Sequence, residues 1–122
     1  MNKKPLKIVI AGGRFFKDYD LLSSELDTFL KGLDSTSVEV VCGMAKGADL
    51  LGKKYADTRG IAVKEFPANW SMGKRAGHVR NAEMARYSTH LFAFWDGLSR
   101  GTKHMIDIAY FEGLDVKVIH YE

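Results

Sequence analysis

Short runs of strongly apolar residues alternate along the chain with segments whose apolar residues recur every three or four positions. The apolar runs are rich in β-branched residues and are bounded by glycine, proline or polar turns, which is typical of buried strands. Five strands are predicted, over residues 6–11, 38–42, 62–66, 90–95 and 116–120. The intervening segments predict four helices, which begin near residues 18–20, 46–49, 78 and 102.

Strict alternation of strand and helix predicts an α/β fold. Because parallel neighbours are joined by right-handed crossovers, the helices are expected to lie on both faces of one parallel sheet. The predicted architecture is a single Rossmann-like, doubly wound domain over residues 1–122, with five strands in the order 3-2-1-4-5. A chain of this length without a linker-like stretch suffices for one such core.

The composition is that of an ordinary globular protein and narrows the function only a little. No apolar run approaches the roughly 20 residues that span a bilayer, and no signal-type cleavage region follows the amino terminus. A cytoplasmic protein without membrane contacts is therefore predicted. The net charge of +3 suits an anionic ligand but is too small to argue for nucleic acid. Cys42, the only cysteine, excludes an internal disulfide and is interpreted as a small buried residue.

The turns at the two ends of the predicted strands differ in composition. Turns that lead from a strand into a helix are rich in glycine and basic residues, as in GGRFF, GMAKGAD and WDGLSRGT. Ligands of doubly wound sheets bind beyond the carboxyl ends of the strands, so this asymmetry predicts a site for a small anionic ligand. A P-loop is absent because Gly47 is followed by Ala48-Asp49, and Gly12-Gly13 lacks the third glycine of a dinucleotide motif.

The second of these turns has two interpretations. Gly43 and Gly47 could serve only to turn the chain, but Lys46 places a cation at a helix amino terminus, where it is unfavourable without an anionic ligand. We therefore favour ligand binding. The negative charge of Asp49 could interact favourably with the dipole of the helix that it begins, or its carboxylate could accept hydrogen bonds from ribose hydroxyls or base amines. Both interpretations of Asp49 remain open.

The fourth turn, at residues 99–102, is the better predicted phosphate site. The first carboxylate after it is Asp107, while Arg100, Lys103 and the free amides of the helix start favour negative charge. Arg14 and Arg80, from other strand ends, could reach the same anion. Trp70 lies in a polar loop and is the better candidate for stacking on a base, whereas Trp95 ends an apolar strand.

Five stretches of the chain together resemble a known family: GGRFF, CGMAKGADLLGKKYA, FPANW, GKRAGHVRNAEM and AFWDGLSRGTKHMI. In this order, over about residues 8–118, they resemble the YspA-type branch of the SLOG superfamily. The superfamily is Rossmann-like and includes the Lonely Guy phosphoribohydrolases and the DNA-processing Smf proteins. The resemblance implies a pocket for a nucleotide or a nucleotide derivative.

The resemblance also implies a difference from the hydrolases. Their phosphate turn, Pro-Gly-Gly-x-Gly-Thr, is followed three residues after the threonine by a catalytic glutamate. Here Gly97 and Gly101-Thr102 resemble that turn, but the glutamate position holds Met105, which cannot transfer a proton. Residues 80–84 resemble the Arg-x-x-x-Met motif of the same enzymes. Binding without phosphoribohydrolase activity is therefore expected, and Asp49, Glu83 and Asp96 are candidates to replace the glutamate.

The sequence predicts a protein that binds a nucleotide or a nucleotide-derived molecule as a sensor, carrier or sequestering domain. The alternatives are an N-glycosidic hydrolase acting on nucleotides and a module that binds single-stranded DNA. No cofactor is predicted, and no metal site, because the histidines lack metal-ligand spacing. The helix over 102–112 is apolar around most of its circumference and predicts a homo-oligomer. The predicted ligand-binding residues are Gly12, Gly13, Arg14, Gly43, Lys46, Gly47, Asp49, Asn69, Trp70, Arg80, Asn81, Asp96, Gly97, Ser99, Arg100, Gly101 and Thr102.

Overall fold

A computed structural model describes residues 5–122 and contains one five-stranded sheet. The order of the strands is β3-β2-β1-β4-β5, and each neighbouring pair is parallel, which confirms the predicted topology. The strands are β1 (Leu6–Gly12), β2 (Val38–Cys42), β3 (Ala62–Glu65), β4 (His90–Trp95) and β5 (Asp115–His120).

Four α-helices of 12 residues each connect these strands: α1 (Tyr19–Leu30), α2 (Ala48–Arg59), α3 (Ala76–Tyr87) and α4 (Arg100–Phe111). The side chain of Asp18 caps α1 by accepting a hydrogen bond from the amide of Leu21. Gly60 ends α2 in the left-handed conformation, with φ of 68°. The segment before α3, Trp70–Arg75, is 3₁₀-helical rather than a loop and leads directly into the helix, so α3 begins two residues before the predicted position.

Two apolar clusters, one on each face of the sheet, confirm that helices cover both faces. Alternate residues of β1 point to opposite faces: Ile8 and Ile10 pack with Leu22 and Leu26 of α1, whereas Val9 packs in the cluster of α3 and α4. These five side chains are at most 1% exposed. Burial of each side chain stabilises the folded state by about 1.5–3 kcal/mol, so the sheet that carries the turns at its carboxyl edge is well packed.

Cys42, the last residue of β2, is fully buried. Burial raises the pKa of its thiol to about 11. The thiol is therefore protonated at neutral pH, in agreement with the interpretation of Cys42 as a small core residue.

Between residues 5 and 122, the structure contains no helix with the length and apolar character that a membrane span requires.

Candidate functional site

A cavity of about 300 Å³ opens at the carboxyl edge of the sheet, next to the boundary between β1 and β4. Strands β2 and β3 lie on one side of this boundary and β5 on the other, so it is the switch point of the sheet. It lies among the turns that follow β1, β2 and β4 and the amino-terminal half of α3. The lining residues are Ala11, Gly12, Arg14, Ala45, Lys46, Asp49, Trp70, Gly77, His78, Arg80, Asn81, Met84, Ser99, Gly101, Thr102 and Met105. The cavity therefore lies at the edge of the sheet where the sequence predicts a site, and its volume is in the range of small-molecule pockets.

The structure brings most of the predicted ligand-binding residues together around this cavity. The predicted residues that line it are Gly12, Arg14, Lys46, Asp49, Trp70, Arg80, Asn81, Ser99, Gly101 and Thr102. The predicted residues that do not line it are Gly13, Gly43, Gly47, Asn69, Asp96, Gly97 and Arg100. Several of the second group have structural contacts of their own.

Gly47 allows the turns that follow β1 and β2 to approach each other closely. Its φ is 86°, and a Cβ there would overlap the carbonyl oxygen of Gly13 and lie 2.7 Å from the carbonyl carbon of Arg14. The amide of Ala48 donates to the same Gly13 oxygen at 3.4 Å. The close backbone approach that Gly47 allows is therefore to the turn after β1.

Gly43 leaves room for two ionisable side chains that line the cavity, Asp49 and Arg80. A Cβ at Gly43 would lie 2.8 Å from Asp49 Oδ2 and 3.0 Å from Arg80 Nη1. Arg80 uses the space to donate a short hydrogen bond from Nη1 to the carbonyl oxygen of Gly43. The second turn thus contributes its lysine and its aspartate to the cavity, while its glycines permit the packing around them.

Asp49 is a buried carboxyl group that lines the cavity. It is 6% exposed, and Oδ2 accepts a hydrogen bond from the amide of Ala45 at 3.4 Å. Burial raises the pKa of Asp49 to about 7, although the Arg80 guanidinium and the Ala45 amide lower it. Near neutral pH this carboxyl can therefore donate or accept a hydrogen bond, which suits a sugar hydroxyl or the edge of a base.

Arg80 and Asn81 of α3 connect the cavity wall to α4. Arg80 Nε donates to Asn81 Oδ1 at 3.0 Å, and Asn81 Nδ2 lies 3.1 Å from His104 Nδ1. The ring of His104 stacks on that of His78 with centroids 3.9 Å apart, and His78 lines the cavity. Sequence reasoning missed both histidines, because they belong to different helices and no spacing along the chain indicates that they meet.

The amino end of α4 forms the opposite wall. Ser99 is the N-cap: its Oγ accepts from the amide of Thr102 at 3.4 Å and lies 3.0 Å from Thr102 Oγ1. Trp95 Nε1 donates to the carbonyl oxygen of Ser99 at 3.1 Å, which holds the turn against the end of β4. Met105, one turn into α4, lines the cavity and is 1% exposed.

Asp96 shapes the same turn and lies outside the cavity. Its Oδ1 accepts from the amides of Leu98 at 2.8 Å and Ser99 at 2.9 Å, and these bonds lower the pKa of Asp96. Glu83 is exposed on α3 and does not line the cavity either. Of the three candidate replacements for the missing glutamate, Asp49 alone has access to the cavity.

The mouth of the cavity carries an exposed aromatic side chain. Trp70 is 68% exposed and lines the cavity. The preceding residue, Asn69, faces the turn: its Oδ1 accepts from the amide of Ser71 at 3.2 Å and caps the 3₁₀ segment.

A second cavity of about 290 Å³ adjoins the first and shares Arg14 and Ser99 with it. Its lining includes Gly13 and Asp96 of the predicted set and two exposed apolar side chains, Phe15 and Leu98. Within the part of the chain that the structure describes, no group of three or more His, Cys, Asp or Glu side chains could hold a metal ion.

Comparison with known proteins places the chain in a family. Its fold matches the X-ray structure of DNA processing protein A (DprA) from Streptococcus pneumoniae, with a TM-score of 0.73 over 98% of this chain. The sequences are 18% identical, so the likeness concerns the fold alone, and this chain spans 51% of the DprA chain. No curated protein matches the chain. The model of the YspA, cpYpsA-related SLOG family matches residues 6–73, more than half of the chain, and the protein belongs to that family.

Proposed function

We propose that this chain is a single nucleotide-binding domain whose ligand, a nucleotide or a nucleotide-derived small molecule, occupies the 300 Å³ cavity. The observation that carries the proposal is the convergence of three cations from separate elements, Arg14, Lys46 and Arg80, on one cavity. The amino end of α4 borders the same space through Ser99, Gly101 and Thr102, and Trp70 lies at its mouth. Such an arrangement suits one phosphate and one aromatic base. The domain would act as a sensor, a carrier or a sequestering protein.

The phosphate is proposed to lie at α4 rather than at α2. The amide of Ala48 at the start of α2 already donates to Gly13, and Asp49 adds a carboxyl group to the first turn of that helix. The first turn of α4 contains no acidic residue. A charge near a helix end is worth about 0.3–1 kcal/mol, so the difference favours an anion at α4 several-fold. Asp49 would then contact the sugar or the base.

The most direct experiment identifies what the protein carries. Protein purified without denaturation is dissociated, and the released small molecules are analysed by mass spectrometry. Calorimetric titration with AMP, GMP, CMP and UMP provides the second measurement. A nucleotide in the released fraction, or saturable binding of one of the four, supports the proposal. Protein that carries no nucleotide and binds none of them at millimolar concentration contradicts it.

Replacing Arg14 with alanine is expected to weaken binding of the tightest of these nucleotides by roughly 10- to 100-fold, because a hydrogen bond to a charged group is worth about 1.5–3 kcal/mol. Titration calorimetry at fixed ionic strength measures the change. Arg86, an exposed cation in the last turn of α3 and outside the cavity, gives the matched control. Equal losses for Arg14→Ala and Arg86→Ala would show that only net charge matters.

The protein is expected to bind nucleoside monophosphates without cleaving their N-glycosidic bond. Cleavage needs a carboxylate beside the anomeric carbon, and the position expected for it holds the Met105 thioether. The measurement is chromatographic detection of free base after incubation of micromolar protein with the four monophosphates. Multiple turnovers would contradict the expectation.

The position and pKa of Asp49 are the observations that favour the hydrolase alternative. Its carboxyl lines the cavity with a pKa of about 7, which is suited to general acid or base chemistry. If turnover occurs and is lost in Asp49→Asn but not in Glu83→Gln, the reaction belongs to this cavity and the hydrolase alternative is correct.

The likeness in fold to a DNA processing protein motivates a test of single-stranded DNA as the alternative ligand. Binding that falls steeply with salt, and that the nucleotides do not displace, would favour the nucleic-acid alternative. Weak, salt-sensitive binding displaced by one nucleotide would favour the small-molecule site.

We also propose that the protein self-associates through α4. Tyr110 is 61% and Phe111 83% exposed at the end of this helix, next to a buried side formed by Met105, Ile106 and Ala109. Phe111→Ser is expected to shift the mass measured by light scattering at micromolar concentration toward the monomer, because it removes apolar area from the proposed interface. Phe15→Ser removes an equally exposed ring elsewhere and is the control. A wild-type monomer would contradict the proposal.

A further inference from the structure

Three side chains form a relay of hydrogen bonds whose direction is fixed at one end. Arg80 Nε lies 3.0 Å from Asn81 Oδ1, and the other amide atom of Asn81, Nδ2, lies 3.1 Å from His104 Nδ1. An arginine has no acceptor, so the atom of Asn81 that faces it must be the oxygen. The amide nitrogen of Asn81 must then face His104 as a donor.

The direction of the relay determines the state of His104. Because Asn81 donates to Nδ1, that nitrogen must carry a lone pair, and a neutral His104 must hold its proton on Nε2. The relay ends at the cavity wall, where Nη1 of Arg80 donates to the carbonyl oxygen of Gly43. A protonated His104 would set an N–H of the ring against the N–H of Asn81, and the relay would break.

We propose that His104 is a positioning residue for the ligand site: as the neutral Nε2–H tautomer it orients Asn81, and Asn81 holds Arg80 in the cavity wall. Protonation of His104 releases Arg80 from its position beside Asn81. The inference links Arg80 and Asn81 of the cavity wall to His104 of α4. Its affinity test rests on the proposed function, whereas its spectroscopic test does not.

The surroundings of His104 favour the neutral form. Burial and the stacked ring of His78 on α3 lower the pKa of His104, and Asp107 of α4 opposes them. Beyond Asn81, the charged groups across the relay are Arg80 and Asp49, the latter with a pKa of about 7. Because Asp49 also changes charge near neutral pH, a test of His104 must compare variants at each pH.

The spectroscopic test needs no ligand. In ¹⁵N-labelled protein at pH 7.5, long-range correlation of the imidazole nitrogens reports which nitrogen of each histidine is protonated. His104 is expected to show a proton on Nε2 and a lone pair on Nδ1. As pH falls through the titration of His104, the Nε–H signal of Arg80 is expected to move with the same midpoint. A proton on Nδ1 of His104 at pH 7.5, or an Arg80 Nε–H chemical shift that does not change as His104 titrates, would overturn the proposal.

The affinity test uses inorganic sulfate, whose charge is constant between pH 5 and pH 8. His104→Asn keeps an acceptor for Asn81 without a titrating ring, and His104→Leu removes the acceptor. Relative to His104→Asn, the wild type is expected to lose roughly tenfold in sulfate affinity once His104 is protonated, as for loss of one charged hydrogen bond. His104→Leu is expected to bind weakly at every pH, with rescue by asparagine.

Wild type and His104→Asn with parallel pH profiles would overturn the positioning role. If no variant binds sulfate at any pH, the proposed anion position at α4 is contradicted, while the tautomer of His104 and its coupling to Arg80 still decide this inference on the ligand-free protein.

Discussion

Asp49→Asn is expected to stabilise the folded protein at pH 8 by roughly 2–4 kcal/mol. Raising the pKa of a carboxyl from 3.8 to about 7 corresponds to roughly 4 kcal/mol of folding free energy once the group is ionised, at ~1.4 kcal/mol per pKa unit. Asparagine fits the same space, keeps an acceptor for the amide of Ala45 and carries no charge to bury. A residue that lowers stability in this way is typical of a site selected for function.

The sign of the effect sets its pH dependence. Between pH 3.8 and about 7 the folded protein holds a proton on Asp49 that the unfolded chain has released, so the stability of the wild type falls as pH rises through this window. The gain from Asp49→Asn should grow from under about 1 kcal/mol at pH 4 to its full size at pH 8. Urea unfolding at both pH values measures it, with Glu83→Gln as the exposed control. A gain that is the same at pH 4 and pH 8 would mean that the carboxyl is not buried in solution.

Gly47→Ala is expected to cost about 3 kcal/mol or more of unfolding free energy. Alanine at φ of 86° is strained, and its Cβ would also overlap the carbonyl oxygen of Gly13, a backbone atom that cannot turn aside. The two turns must then separate, and the hydrogen bond from the amide of Ala48 to Gly13 is lost with them. The loss should appear as a lower urea midpoint with an unchanged slope.

Gly97 provides a control with the same φ, 86°, but among residues 5–122 nothing beyond its own chain neighbours lies within 4 Å of an added Cβ. Gly97→Ala should therefore cost only the conformational strain, about 1–2 kcal/mol. If the two alanine variants are equally destabilised, the contact between the first two turns contributes nothing and the geometry described for Gly47 is wrong.

The fold could be predicted because the alternation of apolar strand segments and amphipathic helix segments repeats along the whole chain, so several segments independently indicate the same parallel sheet. The predicted bounds of β2 and β4 are those of the structure, and parallel pairing follows from the helices between the strands. The segment Trp70–Arg75 was missed because a 3₁₀ segment, here broken at Gly73 with φ of 78°, has no apolar repeat that the sequence would reveal.

The candidate site could be predicted at the level of turns and less well at the level of atoms. Parallel strands bring their carboxyl ends to one edge, so residues from several turns converge without knowledge of side chains. Which side chain of a turn faces inward depends on contacts between turns. Lys46 lines the cavity and Arg100 does not, and Asp96 is held by the amides of its own turn. No pattern in one segment could anticipate the meeting of His78 and His104.

Cys42 makes the unfolding of β2 chemically observable without any change to the sequence. The thiol is fully buried at the carboxyl end of β2 and protonated at neutral pH, so a thiol reagent can modify it only in molecules that have transiently opened. When reclosing outpaces modification, the rate of labelling is proportional to the population of that open form. A molecule that binds and stabilises the folded form slows the labelling by the factor 1 + [L]/Kd, so reagent kinetics on this one native thiol can screen candidate ligands in unpurified mixtures.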